Sequence, residues 1–354
     1  MKKYYLGIDT SNYTTSVAAV GGDGKIIFDR RQVLHVKEGE RGLRQSQALF
    51  EHICNLPDII SGLNEVVKAG GYELGGVGVS TRPRPVEGSY MPCFRAGEAA
   101  AKAVAETAGV RLVETSHQEG HLAAALKTDS VAAEVQSGRP VAALETDCTS
   151  SEPDLLSDGD FIAFHLSGGT TEALLCSRCK DGGFEIEIIG GTGDISFGQL
   201  IDRVGVSLGI GFPCGSEVDR LALQAGDIAG RLLNPFCKIK TEDCFLNISG
   251  IETQVQRYIK GAEEKDEDPD KSLIAAWLLD RVGEALEKAV EQARKKTGID
   301  KTVLMGGVSS SEYIRKHIKK DDNLIFGKPE LCSDNAVGVA LICAEACEGE
   351  SVGQ

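Results

Sequence analysis

Short apolar runs recur in a fixed order along the chain. Residues 4–8 read as a buried strand, 15–20 as a second and 25–30 as a third, with Gly21-Gly22-Asp23-Gly24 supplying a hairpin turn. The same order returns at 161–166, 171–176 and 184–189, with Asp181-Gly182-Gly183 in the second hairpin. This repeat predicts a two-lobed α/β protein, each lobe opened by a three-stranded meander, with a nucleotide-binding cleft between the lobes.

Spacing near 3.6 predicts helices over 45–64, 95–108, 118–127, 197–208, 217–225, 271–296 and 335–347. Ile274, Leu278, Val282, Ala285, Ala289 and Ala293 fall on one helical face, a stripe that belongs to a core and not to a cofactor box. Two stretches, 145–160 and 263–270, carry acids, Ser and Pro without periodicity and read as solvated loops. The first falls where one lobe should hand over to the next. The expected division is therefore 1–150 for the first lobe, with the helix 335–354 returning to it, and 160–334 for the second.

Charge narrows the partners. The 354 residues include 53 acids and 38 Lys or Arg, a net charge of -15 whose field repels polyanions. Binding of bare nucleic acid by this chain alone is disfavoured, whereas an RNA substrate held with a basic partner is compatible with that field. The N-terminus meets Asp9 before any apolar run long enough for a signal peptide, and no apolar stretch of about 18 residues follows, so a cytoplasmic protein with no membrane span is expected. Its eleven cysteines then read as reduced thiols, and the lone pair Cys176 and Cys179 as packing residues rather than half of a metal or redox site.

Three strand ends share one design: Asp9-Thr10-Ser11, Ser167-Gly168-Gly169-Thr170 and Gly306-Gly307-Val308-Ser309. Glycine lets backbone N–H groups approach an anion and hydroxyls add donors, so Asp9, Thr10, Ser11, Gly306 and Gly307 are candidates for phosphate turns. Glycine at such a turn also serves steric needs alone. His117 and His121 stand four apart, which on a helix puts both imidazoles on one face, suited to one metal ion. The alternative is a helix cap at His117 and an ordinary polar contact at His121, and a metal would need a third ligand from elsewhere.

In order along nearly the whole chain, the segments Leu6-Gly7-Ile8-Asp9-Thr10-Ser11, Ser116-His117-Gln118-Glu119-Gly120-His121, Leu166-Ser167-Gly168-Gly169-Thr170, Gly198-Gln199-Leu200-Ile201-Asp202-Arg203, Pro213-Cys214-Gly215, Ser249-Gly250, Gly306-Gly307-Val308 and Cys332-Ser333-Asp334-Asn335-Ala336 resemble one family. It is the family that installs threonylcarbamoyl on adenosine of transfer RNA, with the actin and sugar-kinase type of fold and its duplicated RNase H-like lobes. The resemblance implies one iron or zinc ion on His117, His121 and Asp334. It implies substrate phosphate on His165, Leu166, Ser167, Gly168 and Gly169, ribose hydroxyls on Asp202 and Asp219, and nucleoside against Gly215. Ser311, on the same substrate side, stands where the family usually carries Asn. Asp219 also reads as a helix N-terminal charge and Asp202 as a helix-surface ion.

The departures from the family are polar. Tyr13 and Thr14 replace an Asp-Glu pair, Ile195, Gln199 and Arg203 replace Asp, Glu and Lys, and Arg82-Pro83-Arg84-Pro85 replaces a glycine-rich turn. The implied function is metal-dependent transfer of a threonylcarbamoyl or related carbamoyl group from a carbamoyl adenylate, in a hetero-oligomer with the family's partner subunits. No catalytic side chain is assigned. The rival reading, favoured by those departures, is a non-catalytic nucleotide-binding regulator or assembly subunit. A small-molecule kinase of the same fold has no need of the paired histidines and the late aspartate.

Overall fold

The computed structural model describes residues 1–11, 13–35, 43–127, 159–179, 182–225, 239–319 and 321–349. Most of the loop expected over 145–160 lies outside them. The chain forms two compact units, one of Met1–Gly159 with Ser177–Glu185 and Asp334–Gln354, the other of Asp160–Cys176 with Ile186–Ser333.

In the first unit β1 (Lys2–Ser11), β2 (Thr14–Gly21) and β3 (Ile26–Val33) form the antiparallel meander. They are followed by α1 (Gln45–Ile60), α2 (Leu63–Ala69), β4 (Tyr72–Arg82), α3 (Phe94–Ala108), β5 (Arg111–Ser116) and α4 (His117–Leu126). The sheet order is β3-β2-β1-β4-β5, with β4 parallel to both β1 and β5. Leu6 and Ile8 of β1 pack with Val17, Ile59, Leu63 and Val77 in one core, while the alternate positions Gly7 and Asp9 point to the opposite face.

Three local readings change here. Asp9-Thr10-Ser11 is not a turn: β1 continues through it, pairing Asp9 with Ser16, Thr10 with Thr15 and Ser11 with Thr14. Its side chains are satisfied by neighbouring elements, Thr10 Oγ1 donating to the Cys93 carbonyl at 3.1 Å and accepting from the Gly97 N–H at 3.1 Å at the start of α3. The helix expected over 45–64 is two helices, because Gly62 adopts φ +85°, which a right-handed helix cannot contain. Strand β4 carried no legible strand pattern, since Gly75, Gly76 and Gly78 interrupt it.

The second unit opens with β6 (Phe161–Leu166) and the larger parts of β7 (Thr171–Arg178) and β8 (Phe184–Thr192), then α5 (Phe197–Ser207), α6 (Gly215–Ala225), β9 (Lys240–Glu242), β10 (Phe245–Asn247), α7 (Ser249–Glu263) and α8 (Lys271–Thr297). It closes with β11 (Thr302–Met305), α9 (Glu312–His317), β12 (Leu324–Phe326) and α10 (Pro329–Cys332). Its sheet order, β12-β11-β6-β7-β8-β10-β9, repeats the first sheet's 5-4-1-2-3 order and adds a two-stranded edge. The stripe read from Ile274 to Ala293 is buried along α8, which Asp270 caps by accepting the Ser272 and Leu273 N–H groups and Gly298 ends at φ +74°. The last helix, α11 (Val337–Gly349), packs in the first unit against β1, β4 and α4. Among the described residues no helix is long and apolar enough to cross a membrane.

Candidate metal centre

The first unit brings three ligand atoms together. Ser116 Oγ accepts the Glu119 N–H at 3.2 Å while Glu119 Oε2 accepts the Ser116 N–H at 2.8 Å, a reciprocal cap that starts α4 at His117. The cap is thus Ser116 and not His117, and both imidazoles stand one turn apart on one face. Asp334 lies just before α11, whose first N–H groups, those of Val337 and Gly338, donate to Asn335 Oδ1 at 3.0 and 3.4 Å.

Two glycines let these helices meet. A Cβ at Gly338 of α11 would fall on the carbonyl oxygen of Gly120, the residue before His121, and lie 2.9 Å from the Ala124 nitrogen. Gly338→Ala must push α11 off α4, and with it Asp334 off the histidines. We expect a loss of about 1–3 kcal/mol in unfolding free energy together with weaker metal retention, read by denaturant unfolding and elemental analysis.

His121 Nε2 lies 3.1 Å from His117 Nε2 and 3.3 Å from Asp334 Oδ1, and His117 Nε2 lies 3.6 Å from that oxygen. Metal bonds of about 2.0–2.1 Å in tetrahedral geometry separate ligand atoms by about 3.3 Å, a value these distances bracket. Two imidazoles and one carboxylate suit iron or zinc, and three protein ligands is the number catalytic centres use.

Electrostatics separates the two histidines. Burial opposes a charge on His117, but the Asp9 and Asp334 carboxylates outweigh it and push this imidazole up to about 10. Burial and the neighbouring His117 hold His121 below its ordinary value. Burial likewise opposes ionisation of Asp334, yet hydrogen bonds and charge from both histidines hold its carboxyl well below the usual range. Asp9, read from sequence as a phosphate-turn residue, is wholly buried and faces His117, with Oδ2 3.1 Å from His117 Nδ1. Ser11 Oγ donates to Oδ2 at 2.8 Å and Ser80 Oγ to Oδ1.

All remaining candidates lie in the second unit. His165 and Leu166 end β6, both buried, and Ser167 to Thr170 form a tight turn in which the Ser167 N–H donates to the Thr170 carbonyl at 2.8 Å. Gly168 and Gly169 are exposed, and a Cβ on either would meet nothing within 4 Å. Gly306 takes φ +92° and would place a Cβ 2.7 Å from the Leu166 carbonyl carbon, so its need is steric, whereas Gly307 is open. These two turns therefore sit side by side at the ends of the paired strands β6 and β11.

Asp202 Oδ1 accepts the Cys214 N–H at 2.8 Å, placing it beside Gly215, and burial raises its carboxyl above the ordinary value against that bond. Asp219 charges a helix end, though not that of its own helix. Its carboxylate caps α9, accepting from Ser311 Oγ and from the Glu312 and Tyr313 N–H groups at 3.0 and 3.1 Å. Ser311 Oγ in turn accepts the Ile314 N–H at 3.1 Å.

A family model described as tRNA N6-adenosine threonylcarbamoyltransferase matches residues 153–341, more than half of the chain. The chain belongs to this family of acyltransferases. It is 28% identical over 344 residues to the tRNA N6-adenosine threonylcarbamoyltransferase of Thermosipho africanus, covering 95% of this chain and 92% of that protein. Its identity to the protein of the same name from Neorickettsia sennetsu is 28% over 348 residues, covering 96% and 92%. Full-length HypF in its phosphate- and nucleotide-bound form is similar at TM-score 0.52 and 13% identity, over 99% of this chain and 56% of that one. The fold is the actin and sugar-kinase-like one.

Within this transferase family the chain's departures have structural partners. Gln199 caps α5 reciprocally with Ser196, its N–H donating to Ser196 Oγ at 3.1 Å while Oε1 accepts the Ser196 N–H at 3.2 Å. Ile195 packs on the second unit's core, and Arg203 pairs with Glu252 at 3.2 Å. Tyr13 and Thr14 stand where β1 passes into β2, the Tyr13 carbonyl accepting the Leu34 N–H at 2.7 Å.

Proposed function

We propose that the chain transfers a threonylcarbamoyl group from a threonylcarbamoyl adenylate to an adenosine amine of transfer RNA, with one iron or zinc ion on His117, His121 and Asp334. The observation that supports this reading is the convergence of Nε2, Nε2 and Oδ1 at 3.1, 3.3 and 3.6 Å in a member of this family. The ion supplies Lewis acidity toward the substrate's oxygens when bound. In the reaction the acceptor nitrogen bonds to the carbamoyl carbon, and the bond from that carbon to the phosphate oxygen breaks. AMP leaves with the electron pair, and the amine's proton passes to solvent.

In the second unit the turn from Ser167 to Gly169, with His165 and Leu166 before it and Gly307 beside it, holds the phosphate through backbone N–H groups. Asp202 and Asp219 accept ribose hydroxyls, each carboxylate having lone pairs beyond the bonds described. Gly215, with no atom within 4 Å of its Cβ direction, leaves room for the base, and Ser311 at the start of α9 is bonded to Asp219, one turn further along α6.

The net charge of -15 makes transfer RNA binding by the chain alone weak, so the active form is a hetero-oligomer with partner subunits of the family, in the cytoplasm. Incubation of the chain with the adenylate and unmodified transfer RNA, with and without those subunits, followed by mass spectrometry of nucleosides, tests this. Modification is expected with the partners and to be at least tenfold slower without them. Adenylate binding with no modification in either mixture would make the chain a regulator.

A further inference from the structure

We propose that Asp9 is the positioning residue of the metal centre, acting through His117. The inference rests on the metal reading above. A neutral imidazole carries one N–H, and a metal takes the lone pair of the other nitrogen, so a ligand histidine works only as one tautomer. Nε2 of His117 is the nitrogen that faces His121 and Asp334, and Nδ1 is the one that faces Asp9 at 3.1 Å. A carboxylate accepts and cannot donate, so Asp9 fixes the proton on Nδ1 and leaves the Nε2 lone pair for the ion.

The way Asp9 is held supports this role over a phosphate contact. The Ser11 and Ser80 hydroxyls and the His117 ring surround a side chain with no exposed surface, and among the described residues neither lysine nor arginine pairs with it. A buried carboxylate with no lysine or arginine beside it repels phosphate and favours positive charge on the His117 side. With a divalent ion on two neutral imidazoles, Asp9 and Asp334 together bring the centre to zero net charge.

The strand sets this geometry. Gly7 and Asp9 alternate with Leu6 and Ile8. A Cβ at Gly7 would meet the Ala340 nitrogen at 2.7 Å, so that face of β1 lies directly under α11. Asp9, two residues on, reaches the same layer, where α4 carries His117.

The test measures zinc affinity by chelator competition for wild type, Asp9→Asn and Ser80→Ala, with near-ultraviolet circular dichroism as the check on folding. A folded Asp9→Asn should bind zinc about 10–100-fold more weakly, and Ser80→Ala by a smaller factor. Proton–nitrogen correlation spectra of zinc-loaded wild type should show His117 protonated at Nδ1, an expectation that needs no variant to fold. A proton on Nε2 of His117, or unchanged zinc affinity in a folded Asp9→Asn, would overturn the inference while leaving the metal site standing. Wild type that binds no zinc removes the metal reading, and this inference with it.

Discussion

Replacing His117 and His121 together by alanine is expected to take metal content from about one ion per chain to none, measured by elemental analysis after purification without chelator. Two of the three ligand atoms disappear, and the remaining Asp334 is a single carboxylate, too few donors for an iron or zinc centre. The loss exceeds that of either single change, because each single variant keeps one imidazole and Asp334. Apart from the metal, the double variant removes the buried partner of Asp9, which among the described residues then keeps the Ser11 and Ser80 hydroxyls. A fall in thermal stability should accompany the loss of ion, since a buried carboxylate stripped of its partner is costly. Full retention of metal would place the ligands elsewhere, the nine described free cysteines being the remaining soft donors.

Much of this site was legible in sequence because its parts are local. The four-residue spacing of His117 and His121 specifies one helix face, whereas the cap at Ser116, closed by Glu119, was not read from the sequence. Apolar runs bounded by glycine-rich turns gave β6 its observed limits. The third candidate ligand, Asp334, could come only from the resemblance, since it meets the histidines through the packing of α11 and nothing near it in sequence signals a ligand.

What stayed hidden depended on neighbours far along the chain. Hydroxyl-rich Asp9-Thr10-Ser11 resembles a turn until β2 pairs with it, and Asp9 resembles an anion-site residue until α4 places His117 beside it. Strand β4 was not legible because its glycines answer a demand made elsewhere: a Cβ at Gly76 would lie 2.8 Å from Cys347 Sγ, and one at Gly78 2.7 Å from the Val339 carbonyl. Asp219 resembles a charge on its own helix, yet α9 takes its bonds. In each case the side chain's partner is a tertiary neighbour, which periodicity does not encode.

The metal centre should also release a proton when it fills. In the metal-free protein the carboxylates of Asp9 and Asp334 overcome burial and push His117 up to about 10, so at pH 8 it carries a proton that the ion must displace. His121 is lowered and Asp334 lies well below its usual range, so neither contributes a proton there. Because the folded value of His117 lies above the unfolded value of about 6.5, its contribution to metal-free stability is complete below pH 6.5. That contribution is then lost as pH rises toward 10. Metal affinity runs the other way, gaining about tenfold per pH unit until His117 has lost its proton, or about a hundredfold between pH 7 and pH 9. Calorimetry of zinc binding at pH 8 in buffers of different ionisation enthalpy should give a slope of about one proton per ion. A slope of zero would mean that His117 is already neutral in the free protein and that the two carboxylates do not hold a proton between them.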